Sequence, residues 1–396
     1  MSDSLFSIVL KIAFGVIPDS RSGNQSGSRV KHGMTIQLGD FCIIGHMRDH
    51  SKSKKVAVGL SGGVDSAVAA HLLKEQGYSV TGVYMQCWEA KADGCKADED
   101  RADAVKVAAH LDIPFKHLHF ERQYKEKVID YFYAEYKAGR TPNPDVMCNR
   151  EIKFGLFFDW AVRQGFDFVA SGHYARIRGT YLFAGIDETK DQSYFLHLLP
   201  RENMSRVLFP LGEMRKSEIR KLAEQINLPI ANKPESMGIC FIGEVDIKEF
   251  LKKEISPCRG VVVDKNGEAI GSHDGMAFYT IGQRHGFMVN KYCGLPLYVI
   301  GKNVEKNELV VGFGKDGLRD SFRVSKIHWL VDDPKLPLTC RVRIRHLGDL
   351  HPACLTFCKN DTVLVALTDS VFGVAAGQSA VFYGLGGIVF GGGAID

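Results

Sequence analysis

Lys54 to Leu60 (KKVAVGL) is a short apolar run rich in β-branched residues and closed by glycine, which predicts a buried strand. Ser66 to Gln76 has helical composition and is followed by Gly77, a suitable helix stop. The strand pattern returns at Tyr78 to Met85. An Ala-rich amphipathic helix follows over Asp98 to Leu111, then a strand over Phe115 to Phe120. A helix over Phe154 to Gln164 and a strand over Phe166 to Ala170 repeat the unit. Strands alternating with helices in this way predict an α/β fold with a parallel sheet covered on both faces.

Beyond Glu213 the pattern changes. Arg215 to Gln225 and Asp246 to Glu254 read as short helices. After Gly260 the chain is punctuated by glycine, and Cys340 to His346 (CRVRIRH) alternates with period two. Thr362 to Leu367, Ser379 to Tyr383 and Ile388 to Phe390 continue in that style, which predicts a small C-terminal β-barrel or sandwich. The expected layout is an extension at 1–52, an α/β domain at 53–212, a small central domain at 213–275 and a β-barrel at 276–396.

The extension contains an apolar run, Leu5 to Ile17, broken by Lys11 and Gly15. It is too short to span a bilayer. No basic region precedes it and no small-residue cleavage site follows, so a signal peptide is not expected. Residues 18–33 are rich in Ser, Gly and Arg and read as flexible. A disordered extension, an upstream start codon with Met34 or Met47 as working start, and an organellar targeting peptide are the open readings.

With 396 residues, 45% hydrophobic and 24% charged, the chain has the make-up of a globular protein of two or three domains. A net charge of +4 permits a polyanionic partner without demanding one. The ten cysteines are scattered and form no Cys-x-x-Cys pair. That spacing argues against a zinc ribbon or a thioredoxin-like motif, gives no sign of a disulfide framework, and favours reduced thiols in the cytoplasm. Cys87 and Cys95 lack a second Cys/His pair at zinc-like spacing and read as structural or incidental.

The most informative segment is Ser61-Gly62-Gly63-Val64-Asp65-Ser66, between the first strand and the first helix. An anion site needs free N–H groups and a backbone that a ligand can approach closely. Gly62 and Gly63 remove the Cβ obstacles, and Ser61 and Ser66 add hydroxyl donors. The helix that follows presents unpaired N–H groups and the positive end of its dipole. The Walker A pattern GxxxxGK[ST] is absent. Instead the segment resembles the SGGxDS pyrophosphate loop of the ATP pyrophosphatase superfamily, whose members cleave ATP between its α- and β-phosphates.

Two further segments carry cysteines: Thr141-Pro142-Asn143-Pro144-Asp145-Val146-Met147-Cys148-Asn149, read as a proline-stiffened loop, and Gly238-Ile239-Cys240-Phe241-Ile242-Gly243. Taken singly, either cysteine fits a small buried hydrophobe. Their context reverses that reading. With GHY at Gly172 to Tyr174, KDQSYFL at Lys190 to Leu196 and GQSAVFY at Gly377 to Tyr383, the chain from about Lys54 to Ile395 closely resembles the tRNA-specific 2-thiouridylase family. The resemblance implies a PP-loop ATP pyrophosphatase (adenine nucleotide alpha hydrolase-like) domain, a small central domain and a C-terminal tRNA-binding β-barrel. It implies ATP-dependent 2-thiolation of the wobble uridine of tRNA, expected for tRNAs reading Lys, Glu and Gln, with sulfur delivered by a persulfide donor protein.

The same resemblance makes Cys148 and Cys240 the catalytic pair, with Cys240 carrying the persulfide, and sets Asp145 to position or deprotonate the pyrimidine. A second thiolate can cut the S–S bond so that sulfur stays on the base, leaving a disulfide for reductants to reopen. ATP falls to Gly59, Leu60, Ser61, Gly62, Gly63, Val64, Asp65, Ser66, Met85 and Gly172. Mg²⁺ is expected with the triphosphate, its protein ligands not assignable. The tRNA contacts map onto Asn143, Pro144, Asp145, His173, Lys190, Asp191, Gln192, Arg345, His346 and Gln378. Lys190 and Arg345 suit phosphate, while Asn143 and Gln192 can read base edges. Arg341, Arg343 and Arg345 read as one basic strand face. The chain departs from the family at Glu235-Ser236-Met237, where many relatives have DST, at the extra thiol Cys87, and at His346, where an aromatic residue is common. No membrane association is expected.

Three rival readings remain. An amidating synthetase of the same superfamily predicts a glutaminase segment or ammonia channel. An iron–sulfur RNA thiolase needs a Cys-x-x-Cys motif, and a non-enzymatic tRNA-binding protein needs no intact phosphate loop.

Overall fold

The computed structural model describes residues 53–88, 97–235, 238, 240–243, 246–290, 294–332, 334–357 and 362–396. The extension at 1–52 lies outside them, as do Cys95, Ser236, Met237 and Ile239.

The first domain is built on five parallel strands in the order β3-β2-β1-β4-β7: β1 (Lys55–Gly59), β2 (Ser79–Gln86), β3 (Phe115–His119), β4 (Phe168–Ala170) and β7 (Val207–Leu208). Side chains alternate across the sheet. Val56 and Val58 enter one apolar cluster with helix α1 (Val64–Glu75) and helix α2 (Ala97–His110), while Ala57, Val83 and Met85 enter another on the opposite face. Both faces are therefore covered, as the near-continuous apolar strands require.

Helix α3 runs through Glu121–Tyr124, Lys125–Ile129 and Asp130–Lys137, a segment that the sequence reading left unassigned. Its five aromatic residues obscure helical propensity, but Tyr124, Val128, Ile129, Phe132, Tyr133 and Tyr136 are buried at helical spacing. Helix α4 corrects another expectation. It starts at Pro144, not near Phe154, and runs through Pro144–Cys148, Asn149–Leu156 and Phe157–Arg163. The Asn143 carboxamide accepts from the backbone N–H groups of Asp145 (3.1 Å) and Val146 (3.3 Å). Asn-Pro is thus an N-cap followed by a first-turn proline. Cys148 lies on a helix and not in a loop.

A hairpin of β5 (Ala175–Arg178) and β6 (Tyr181–Ala184) precedes β7, and helices α5 (Lys216–Gln225) and α6 (Ile247–Lys252) follow it. The middle sheet, ordered β10-β9-β8-β12-β11, contains β8 (Gly260–Val263), β9 (Ala269–His273), β10 (Met288–Val289), β11 (Tyr298–Asn303) and β12 (Glu308–Gly312). The last domain resolves the barrel-or-sandwich alternative. Strands β13 (Leu318–Trp329), β14 (Leu338–Arg343), β15 (His351–Phe357), β16 (Val363–Phe372), β17 (Ser379–Tyr383) and β18 (Val389–Ile395) close an antiparallel barrel in the order β13-β16-β15-β14-β17-β18. Val324, Val342, Leu355, Val365 and Phe382 fill its interior. Closure removes the exposed sheet edges.

Candidate active site

The glycine loop lies between β1 and α1. Gly62 has φ +77, and a Cβ there would stand 2.2 Å from the Asp100 carbonyl oxygen, so only glycine fits. Ser66 Oγ accepts from the Ser61 N–H (3.1 Å) and donates to the Gly63 carbonyl (3.0 Å), which folds the loop over the helix start. Gly63 is the N-cap and offers no side-chain acceptor. The first-turn N–H groups therefore have no side-chain cap and suit an anionic ligand or water.

Charge surrounds the loop in an arrangement that the sequence reading missed. Lys216 Nζ donates to both oxygens of Asp65 (2.6 and 2.8 Å), and the Tyr174 hydroxyl donates to Asp65 Oδ1 (2.8 Å). Lys233 Nζ donates to the Gly62 carbonyl (3.0 Å), Asp100 (2.7 Å) and Asp103 (2.7 Å). Lys233 holds the Asp103 carboxyl below its usual range against the opposing effect of burial. No local motif marks Lys216 or Lys233, because each meets the loop only through folding.

Met85, one residue before the end of its strand, lies beside Gly59, where an added Cβ would lie 3.2 Å from the Met85 methyl. A Cβ on Gly172 would stand 2.8 Å from the backbone of Asp65 and Ser66. The next residue, His173, leads away from the phosphate loop toward the cysteines.

The two cysteine segments meet there. Asp145 Oδ1 accepts from the Cys240 backbone N–H (3.0 Å), and the Tyr124 hydroxyl donates to the Cys240 carbonyl (2.6 Å). Cys148 is fully buried, whereas Cys240 keeps some exposure. All six described cysteines are free thiols. A hydrogen bond with Cys148, burial and the Asp145 charge push the Cys240 thiol well up, and Lys153 opposes them. Phe241 holds φ +66, an uncommon conformation for a bulky residue, with its ring edge-on to Tyr124 at 5.9 Å.

Lys153 is the main residue here that sequence reasoning missed. It lies five residues after Cys148, on a stretch of i→i+5 hydrogen bonding at Asn149–Leu156. Such widened turns recur at functional sites. Its ammonium stands 3.8 Å from Cys240 Sγ and 3.5 Å from His173 Nε2. Burial and the nearby ammonium press the His173 imidazole well below its ordinary range, so the ring is neutral. An ammonium can only donate, so Nε2 accepts and Nδ1 carries the proton toward Ser171 Oγ at 2.7 Å. Cys87, 1% exposed, joins Cys148 in the same apolar cluster, and burial raises its thiol well above the ordinary range.

The remaining expected residues fall into two groups. Asn143 and Asp145 flank the cysteine site, and Gln378 braces it by donating to the Thr141 carbonyl at 2.9 Å. Gln192 is tied to Tyr174, its side-chain oxygen accepting from the Tyr174 N–H (3.1 Å). His346 packs against Phe195 with ring centres 4.1 Å apart, and its buried Nδ1 has no partner among the described residues. Lys190 pairs with Glu235 (2.7 Å), and Arg345 is exposed. Asp191 instead turns inward. Its carboxylate accepts from the Gly185 and Ser193 N–H groups, the Ser193 hydroxyl and Arg343 Nη1 (2.7 Å). This divides the expected basic face: Arg341 is exposed, but Arg343 is buried in that ion pair.

A parallel α/β domain with a glycine anion loop, two thiols brought together from distant segments, and a closed β-barrel define a HUP-class domain with two β-domains appended. The family models match in that order: tRNA methyl transferase HUP domain over 54–244, tRNA methyl transferase PRC-barrel domain over 248–313 and aminomethyltransferase β-barrel domain over 319–395. The chain belongs to the tRNA-specific 2-thiouridylase family. It is 43% identical over 363 residues to tRNA-specific 2-thiouridylase MnmA of Bacillus velezensis, covering 88% of this chain and 97% of the relative. With the protein of that name from Bacillus subtilis strain 168 it shares 42% identity over 361 residues, covering 88% and 97%. Among solved structures, a 4-thiouridine synthetase–RNA complex with bound ATP matches at 19% identity and TM-score 0.35, over 50% of each chain.

Proposed function

We propose that this protein is a tRNA-uridine 2-sulfurtransferase, thiolating C2 of the wobble uridine at the expense of ATP. The observation that carries this reading is the meeting of Cys148 and Cys240 beside Lys153, with Gly172-His173 linking them to the glycine loop. An amidating synthetase has no use for such a pair, and methyl transfer from a cofactor has none for the loop.

The C2 oxygen of uridine is a poor leaving group. Transfer of AMP to it, with release of pyrophosphate, makes it a good one. The outer sulfur of a Cys240 persulfide then attacks C2 and expels AMP. The Cys148 thiolate attacks the Cys240 sulfur, the S–S bond to the base breaks, and a Cys148–Cys240 disulfide remains for a two-electron reductant. The exposure difference supports these roles, because the thiol loaded by a donor protein must be reachable. The uncapped first-turn N–H groups after Gly63 fit the nucleotide phosphates, with Gly59 to Ser66, Met85 and Gly172 around them. Mg²⁺ is expected with the triphosphate, whose oxygens and water supply most of its ligands. Asn143, Pro144, Asp145, His173, Lys190, Gln192, Arg345, His346 and Gln378 are assigned to the tRNA side, with Asp191 as their support. A cytoplasmic location, where reductants reopen the disulfide, suits the reductive step. The tRNAs reading Lys, Glu and Gln are the expected substrates.

The test is nucleoside mass spectrometry of tRNA incubated with the protein, ATP, Mg²⁺ and a persulfide donor. New 2-thiouridine is expected, and none without ATP. Cys148→Ser and Cys240→Ser should each abolish it. Full activity in either variant refutes the pair, and ATP-dependent ammonia incorporation would establish the amidating reading instead.

A further inference from the structure

An ammonium placed against sulfur with no carboxylate at ion-pair distance requires an explanation. Lys153 makes no salt bridge among the described residues; its ammonium contacts are Cys240 Sγ, His173 Nε2 and the face of the Phe241 ring, 5.9 Å away. A partly buried cation is retained only where an anion compensates it. The charged and titratable groups facing it are Cys240 and Cys148, Asp145 from the start of α4, Cys87 beyond β2 and His173 beyond β4. Asp145 contributes its negative charge from a distance, its Oδ1 turned to the Cys240 N–H, and His173 is neutral. The sulfur of Cys240 is the group able to carry negative charge that the ammonium touches.

We propose that Lys153 is a catalytic residue for sulfur loading: its ammonium favours the Cys240 sulfur as an anion, and His173 is the positioning residue that aims it. This rests on the sulfurtransferase reading above. The Cys240 thiolate attacks the outer sulfur of a donor persulfide. The donor S–S bond breaks, a Cys240 S–S bond forms, and the donor departs as a thiolate, so no net oxidant or reductant is consumed. An ammonium near 4 Å stabilises the anion at the start and the persulfide anion at the end, which protonation would make unreactive. His173 donates through Nδ1 to Ser171 and accepts through Nε2, so its tautomer directs the lysine toward sulfur.

The experiment follows the rate of alkylation by iodoacetamide against pH, resolved by peptide mass spectrometry, in the full chain without RNA or ATP, and compares rates where the thiolate fraction still rises with pH. Lys153→Met should move the Cys240 midpoint up by about one unit or more, slowing alkylation near neutrality about tenfold. Lys153→Arg should restore the lower midpoint, and the exposed Cys258 should not respond. Equal Cys240 alkylation rates across the profile in Lys153→Met and the parent would overturn the proposal. If Lys153→Met does not fold, nitrogen NMR of lysine-labelled protein replaces it: Cys240→Ser should lower the Lys153 titration, and an unchanged titration overturns the ion pair. Where the parent makes 2-thiouridine, Lys153→Met should lower kcat about tenfold with the KM for tRNA unchanged; a shift in KM alone refutes a role in loading. These readouts separate the two ideas, because thiol reactivity is measured even if no thiolated nucleoside forms.

Discussion

At the scale of single residues, one glycine joins two sites. Gly172 touches the phosphate-loop backbone, while its neighbour His173 touches Lys153. Gly172→Ala places a methyl group 2.8 Å from Asp65 and Ser66, so the loop must move. The expected result is a stability loss of about 1–3 kcal/mol and at least about tenfold weaker ATP binding, read by a denaturation curve and by calorimetry. Unchanged binding would detach Gly172 from the nucleotide site. The glycines and serines of the loop were legible because their chemistry is local. The Asp65–Lys216 pair spans 151 positions and has no sequence signal.

At the scale of elements, helix α4 carries the cysteine site. Its start depends on the Asn143 cap and on Pro144, and it then widens over Asn149–Leu156. A Cβ on Gly155 would lie 2.9 Å from the Arg150 carbonyl, which marks how closely that turn is packed. Asn143→Ala removes the acceptor for two N–H groups and should cost about 1 kcal/mol, visible as a lower thermal midpoint. Asn143→Asp should retain most of the cap, and equal midpoints for both variants would deny the cap its role. Proline was read as loop stiffening because Asn-Pro serves turns and helix starts alike. The burial of Val146 and Cys148 decides between them.

At the scale of the molecule, the KDQSYFL segment fastens the α/β domain to the barrel. The Tyr194 hydroxyl donates to the Ser379 carbonyl (2.9 Å), Ser193 Oγ meets the Tyr383 hydroxyl (3.1 Å), and Asp191 pairs with Arg343. Asp191→Ala leaves a buried guanidinium unpaired and should lower stability by about 3–5 kcal/mol. A double variant with Arg343→Met should recover part of that loss in urea unfolding. Additive losses would show that the two side chains act independently. His197 adds pH dependence to the same junction. It is 1% exposed, hydrogen-bonds through Nδ1 to the Tyr194 carbonyl (2.8 Å), and burial brings it down to about 4. Between about 4 and the ordinary 6.5 the unfolded chain binds the proton and the folded chain does not. Stability is therefore full above that window and falls as pH drops through it, by up to about 3 kcal/mol. His197→Asn should flatten this part of the profile relative to the parent.

Local patterning alone determined the parallel α/β domain, the phosphate loop and the β-rich C-terminus, because strand period, helix stops and a glycine-serine loop act over a few residues. Family motifs singled out Cys148 and Cys240. Tertiary structure decided what surrounds them. Lys153 meets Cys240 across 87 positions, and Asp145 meets its backbone across 95. Arg343 left the exposed basic face to pair with Asp191 across 152 positions. A charge finds its partner only when the chain has folded, since the cost of burying it is settled by whatever side chain arrives from elsewhere.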